Sequence, residues 1–214
     1  MTATRRRLLA TAGAGLVLAA CQGGTNADPD DASDMAIGDP NAPVRVVEYA
    51  SVTCPHCREW HDTVWPQLKA NYIDTGKVRF IFREFPTNPT ELAIAGFQVA
   101  RCGGRTPDQY FTMLDVLFAQ QAQIFEAYSA GKAKEKLLEV AQSSGLSEAD
   151  FTKCVGDAAG TDRINQTVEN GVKRFKIEGT PTFIVNGKVA GPEYARYETF
   201  AKLIDSRISG AKTG

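Results

Sequence analysis

The sequence predicts an α/β protein in which a β-α-β unit and a later β-β-α unit are separated by a helical block of roughly eighty residues, with boundaries good to a few positions. Three observations predict it. Val44-Arg45-Val46-Val47-Glu48-Tyr49 is β-branched and apolar, and Lys77 to Phe85 alternates and then runs apolar, so both read as central strands. Between them Trp60, Val64 and Leu68 keep the spacing of one helical face. From Thr182 to Val189 the pattern returns to strand, with Phe183-Ile184-Val185 running into an Asn186-Gly187 hairpin turn. Parallel strands joined in sequence need a crossover, and the first helix supplies it.

The N-terminal end reads as a targeting segment. Arg5-Arg6-Arg7 precede an apolar run from Leu8 to Ala20 that is too short to span a bilayer. The run ends Leu18-Ala19-Ala20-Cys21, which resembles a bacterial lipobox, with cleavage before Cys21 and lipid on its sulfur. Thr4-Arg5-Arg6-Arg7-Leu8-Leu9 also resembles a loose twin-arginine signal, so the general secretory and twin-arginine routes both stay open. Cleavage would leave 214 − 20 = 194 residues with a charge of 21 − 25 = −4, three arginines having gone. That balance does not suggest nucleic acid or an anionic lipid surface as a partner. Gln22 to Met35, rich in Gly, Asn, Asp, Ala and Ser, reads as a disordered tether.

Ile37-Gly38-Asp39-Pro40-Asn41-Ala42-Pro43 is a turn-rich approach to the first strand. Past it, Pro66 should kink the first helix. Pro86-Thr87-Asn88-Pro89 breaks the sheet, and Thr90 is expected to cap a helix carrying Leu92, Ala95, Phe97 and Val99. Further helices are expected from Thr106-Pro107, from Ala133 to Ser144 with Gly145 as stop, and from Thr161 to Phe175. Ser147-x-x-Asp150 resembles a capping box. A closing helix from Tyr194 to Ile208 should cover the sheet.

The chemistry sits where the first strand meets its helix, at Cys54-Pro55-His56-Cys57. Pro55 suits the first helical position, where its missing N–H costs nothing. Cys54 then falls at the N-cap, its sulfur facing the free amides of His56 and Cys57. Those donors and the helix dipole favour a thiolate, so the pKa of Cys54 should fall, and a cationic His56 would push it further down. This is the chemistry of thiol–disulfide exchange. His61 with His56, Cys54 and Cys57 raises a metal-carrying lipoprotein as a rival, but ligands packed so tightly on one helix start seldom surround a metal, and none is expected. A peptide-holding chaperone with idle cysteines is the other rival.

Glu48 to Cys57 resembles the active-site segment of the DsbA family of bacterial periplasmic oxidoreductases, and Gly179-Thr180-Pro181-Thr182-Phe183 resembles the family's cis-proline loop. The resemblance implies a thioredoxin fold with an inserted α-helical domain. It divides the chain into a signal peptide with lipobox (1–20), a tether (21–36), a first thioredoxin-fold segment (37–89), the inserted helical domain (90–175) and a second thioredoxin-fold segment (176–214). It further implies a disulfide oxidase with no cofactor, a reductase or isomerase being the alternative direction. The substrates would be unfolded or partly folded exported proteins with free cysteines. A quinone-linked membrane oxidase would regenerate the protein, held by its lipid anchor on the periplasmic side of a bacterial membrane. Thr180 and Pro181 would hold an extended substrate segment by strand addition. Thr180, where the best-known oxidases carry an aliphatic residue, departs from their pattern.

Glu48 interrupts an apolar strand six residues before Cys54, at the spacing of the buried acid that thioredoxin-like proteins keep behind the cysteines. A buried carboxylate is costly without a task or a partner. The expected task is proton relay to Cys57, and the plainer alternative is a pairing with a nearby lysine. Of five cysteines, Cys102 and Cys154 remain. In an oxidising compartment they are expected to form a structural disulfide, two buried apolar thiols being the other option.

Overall fold

The computed structural model describes residues 31–211. The lipobox, Cys21 and the signal segment therefore lie outside the described residues. Strand β1 (Met35–Ile37) is followed by β2 (Val44–Ala50), then by helix α1 (Pro55–Thr63) and the short α2 (Trp65–Leu68), which runs into a π-helical turn at Lys69–Ile73. The break between α1 and α2 falls at Val64, two residues before Pro66. A proline ring cannot sit beside the carbonyl of the preceding turn, so the chain restarts with Pro66 near a helix start, where it is tolerated.

Strand β3 (Val78–Glu84) lies parallel to β2. The insert then comprises α3 (Thr90–Arg101), α4 (Pro107–Ala119), α5 (Gln121–Ser129), α6 (Ala133–Ser143), α7 (Glu148–Val155) and α8 (Ala158–Phe175). The chain returns through β4 (Thr182–Val185) and β5 (Lys188–Val189), a 3-10 turn at Pro192–Ala195, and α9 (Tyr197–Ala211). The sheet order is β1-β3-β2-β4-β5, antiparallel except at β2–β3.

Several boundaries differ from the sequence expectation. Met35 and Ala36, expected in the tether, belong to β1, because the otherwise open edge of β3 pairs with them. Arg83 holds both carboxylate oxygens of Asp34 at 3.0 and 2.8 Å, and Arg101 donates to the Ser33 carbonyl at 2.9 Å, so the residues just before β1 are pinned as well. The N-cap of α3 is Pro89, with Thr90 already helical and its hydroxyl turned to Asn88. The reciprocal capping box occurs at Thr106 and Gln109, while Ser147 caps α7 through the Asp150 amide.

Alternation along β2 decides which side chain meets which layer. Val44, Val46, Glu48 and Ala50 share one face, and their apolar members join Trp60, Trp65, Phe80, Phe183 and Phe200 in the main core. Val47 and Tyr49 take the other face with Ile81, Ile184 and Ile177, against which Phe175 of α8 packs. Helix α8 comes so near this face that a Cβ at Gly171 would stand 2.7 Å from the Tyr49 ring. Glu84 fixes the insert to the sheet: its buried carboxylate receives Arg101 at 2.7 Å, Arg163 at 3.1 Å and the Tyr110 hydroxyl at 3.0 Å. Inside the insert, the Cys102 and Cys154 sulfurs are bonded to each other, joining the C-cap of α3 to α7 across a sequence separation of 52.

Candidate active site

Pro55 opens α1 and Cys54 is its N-cap, with extended backbone at φ −85 and ψ 119. A sulfur at an N-cap receives amides that have no helical partner, and here the Cys57 N–H points at it from 3.3 Å. Across the site the Thr180–Pro181 peptide is cis, and the Thr180 carbonyl lies 3.3 Å from the same sulfur. The Cys54 pKa falls to about 6, foremost through the Cys57 thiol hydrogen bond; burial opposes the fall, and the Thr180 side chain and the backbone amides of Cys57 and His56 support it. Burial drives Cys57 the opposite way, well above the ordinary thiol value, with the hydrogen bond to Cys54 and the Glu48 charge adding to it. One sulfur is thus prepared as a thiolate and its partner as a thiol.

The His56 imidazole is turned outward, 80 % exposed, with Nδ1 3.9 Å from Glu59. What His56 directs at Cys54 is its backbone amide. Glu48 is fully buried on the face of β2 that looks at α1, and its partner is His61, not a lysine, with Oε2 3.1 Å from Nε2. His61 therefore turns inward, away from His56. Among the described residues no group of three or more histidine, cysteine or carboxylate side chains is arranged to hold a metal.

Two further supports escaped the sequence reading. Buried Gln121, at the start of α5, donates its amide to the carbonyls of Val52 at 2.8 Å and Cys54 at 3.0 Å, so the insert grips the loop that carries the sulfur. Ser51, Thr53 and Thr87 form a hydroxyl chain, 2.9 Å between Ser51 and Thr53 and 2.9 Å between Thr53 and Thr87, that fixes the same loop to the segment after β3. Helix α3 presses on this loop where it has no side chain, since a Cβ at Gly96 would stand 2.8 Å from Val52. Beside the cis-proline, Trp60 donates its ring N–H to the Tyr194 carbonyl at 2.9 Å, and both line a small cavity with His56 and Pro181.

A five-stranded sheet with a Cys-x-x-Cys at a helix N-terminus and a cis-proline facing it defines a protein of the DsbA type, a thioredoxin fold carrying a helical insertion. A family profile described as thioredoxin matches residues 30–206. The chain belongs to this family. It is 34% identical over 183 residues to a putative protein-disulfide oxidoreductase of Rickettsia bellii, the match covering 85% of this chain and 67% of the relative. With two other rickettsial relatives the shares of the relative are 63% and 56%, so the chain spans roughly two thirds or less of their length. A probable disulfide bond formation protein D of Bacillus anthracis is 26% identical over 82% of this chain and 79% of its own. Among solved structures, the crystal structure of Wolbachia pipientis alpha-DsbA1 superposes with a TM-score of 0.78 at 28% identity, covering 86% of this chain and 95% of that one.

Proposed function

We propose that the chain is a thiol:disulfide oxidoreductase that introduces disulfides into exported proteins, with Cys54 as the exchanging sulfur and Cys57 as its buried partner. The observation that carries this reading is the unlike setting of the two sulfurs: Cys54 caps α1 with the Cys57 N–H 3.3 Å away and the cis Thr180–Pro181 peptide opposite, while Cys57 is fully buried behind it. In the oxidised protein a substrate thiolate attacks the Cys54 sulfur and Cys57 leaves. A second substrate thiol attacks the substrate sulfur of the mixed disulfide, expelling Cys54 as a thiolate, the better leaving group for its low pKa. Substrate gains a disulfide and the pair is left reduced. A stabilised Cys54 thiolate favours the reduced protein, which makes the oxidised one an oxidant. Pro55 keeps the helix start in register, Thr180 and Pro181 seat the substrate strand, and Glu48 moves the Cys57 proton. A quinone-linked membrane oxidase is the proposed source of oxidising equivalents.

Equilibration with glutathione tests the direction of transfer. The potential of the Cys54–Cys57 pair should lie well above that of thioredoxin, about −270 mV, toward the oxidising end of the fold. A value at or below thioredoxin's would make the protein a reductase.

The same proposal places the protein on the periplasmic side of a bacterial membrane through lipid on Cys21, on the strength of Leu18-Ala19-Ala20-Cys21. No helix among the described residues is long and apolar enough to cross a membrane. In a Gram-negative host the full chain should fractionate with membranes and Cys21→Ser with the soluble pool. Equal solubility of the two would remove the anchor from the account.

A further inference from the structure

Cys57 and Glu48 are each fully buried, so a proton passed between them has no direct source in solvent. The next titratable group is His61, one helical turn beyond Cys57 on α1. Its side chain is 3% exposed, and the ring stacks on Phe118 with centroids 4.3 Å apart. Its Nε2 meets Glu48 Oε2 at 3.1 Å, while its Nδ1 and Glu48 Oε1 have no hydrogen-bond partner. His61 also lines a cavity of about 480 Å³ with Asp62, Trp65, Lys69, Asp115 and Phe118, and Glu48 is not among its walls. At about 30 Å³ of liquid volume per water, it has room for several.

We propose that His61 is the proton port of the redox pair, carrying protons between water in this cavity and Glu48. The proposal rests on the reading of Glu48 as the relay to Cys57 and supplies the end that this relay lacks. Two buried atoms without a protein partner remain to take a proton in and pass it on, Nδ1 of His61 and Oε1 of Glu48, and the Nε2–Oε2 contact is the bridge between the two side chains. Imidazole suits the task because its two nitrogens accept on one side and donate on the other near neutral pH. The charged groups around it are Glu48 from β2, Asp62 on its own helix, Lys69 from the π-helical turn, and Asp115 from α4, whose carboxylate attracts a charged His61. Lys69 is itself occupied by Asp74 at 2.6 Å.

The step balances. When substrate thiolate bonds to Cys54, the Cys54–Cys57 bond breaks and Cys57 keeps the electron pair. As water on the cavity side gives a proton to Nδ1, His61 releases its Nε2 proton to the Glu48 carboxylate, which hands it on to the Cys57 thiolate and is left a carboxylate as before. One proton enters from solvent and one ends on Cys57. Reoxidation of the pair runs the chain backward and restores the starting tautomer.

The test uses the oxidised full chain, reduced by excess glutathione in a single turnover across a pH series in H2O and in D2O. His61→Gln keeps a donor toward Glu48 and can relay nothing. It should open the disulfide roughly 10²-fold more slowly, the lower end of what a positioned proton donor contributes, with the pH dependence and isotope effect changed as in Glu48→Gln. His61→Ala should be slow as well and recover rate with added imidazole, although its melting temperature falls because Glu48 loses its buried partner. His61→Gln as fast as wild type beside a slowed Glu48→Gln would overturn the port while sparing the Glu48 relay. Both variants as fast as wild type would remove the relay itself. A folded His61→Ala that imidazole does not accelerate would also overturn the port.

Discussion

Cys54→Ala abolishes thiol–disulfide exchange, whereas Cys57→Ala yields a protein that captures disulfide-bearing substrates and does not let them go. The difference follows from the two environments. At neutral pH a thiol of pKa about 6 is about nine-tenths thiolate, against about one in a hundred at the ordinary value of 9.0. Cys57 exposes no surface, against 6% for Cys54, and its pKa is raised, so Cys54 is the sulfur that meets substrate and Cys57 acts on it from behind. Without Cys57, a mixed disulfide on Cys54 has no internal thiol to resolve it and accumulates. Non-reducing electrophoresis of each variant with an unfolded, disulfide-containing protein separates the outcomes: an adduct with Cys57→Ala and none with Cys54→Ala. Exchange persisting in Cys54→Ala would place the chemistry elsewhere.

Replacing both Cys102 and Cys154 with serine lowers stability by about 4 kcal/mol and leaves exchange at Cys54 intact. The bond closes a loop across a sequence separation of 52, and chain entropy gives about 4 kcal/mol for a loop of that size. For a domain of this length that is a melting-temperature loss on the order of 10 °C. Both residues lie in the insert, whereas Cys54 is held by Gln121, Ser51, Thr53 and Thr180. The double variant is the informative one, since a single replacement leaves a free thiol that can pair with Cys54. A loss under about 1 kcal/mol would mean that the unfolded chain gains little freedom when the link is cut.

What is legible of the site is what is local. A strand, a cysteine, Pro55 and a helical stripe lie within the 25 residues from Val44 to Leu68, and N-cap chemistry depends on nothing further away. The structural bond of Cys102 to Cys154 follows from counting cysteines in one helical block, and the crossover from two consecutive apolar strands. Gln121 was not legible, because its link to Cys54 spans 67 positions and an amide at a helix start carries no pattern of its own. Strand β1 was missed for a related reason: Met35–Ile37 follows acidic, linker-like sequence and is made a strand by the edge of β3. His61 left a signal that could have been used. It stands four residues after Cys57, hence on the same face of α1, and Glu48 shares the strand face that looks at it. The sequence reading weighed His61 only as a metal ligand and set that aside; the buried carboxylate behind the cysteines is what it meets.

The claim on which the account turns is that the start of α1 and the facing loop hold Cys54 as a thiolate, and titration of the reduced protein tests it most directly. Thiolate absorbance, with Cys54→Ser as the blank, should show a midpoint near 6. The linkage has a definite sign. The unfolded chain keeps its Cys54 proton up to the ordinary value of 9.0, so between about 6 and 9 it binds more protons than the native state. The reduced protein should therefore gain stability as pH rises through this window and lose that gain as pH falls through 6. The oxidised protein has no thiol there to titrate, so its unfolding should lack this component. The raised pKa of Cys57 acts only above the ordinary thiol range, where it costs stability, and leaves the window to Cys54. A midpoint near 6, and a stability gap that grows in favour of the reduced form from acid to neutral pH, is the predicted result; titration of Cys54 only near 9, with a gap indifferent to pH below it, would contradict the account.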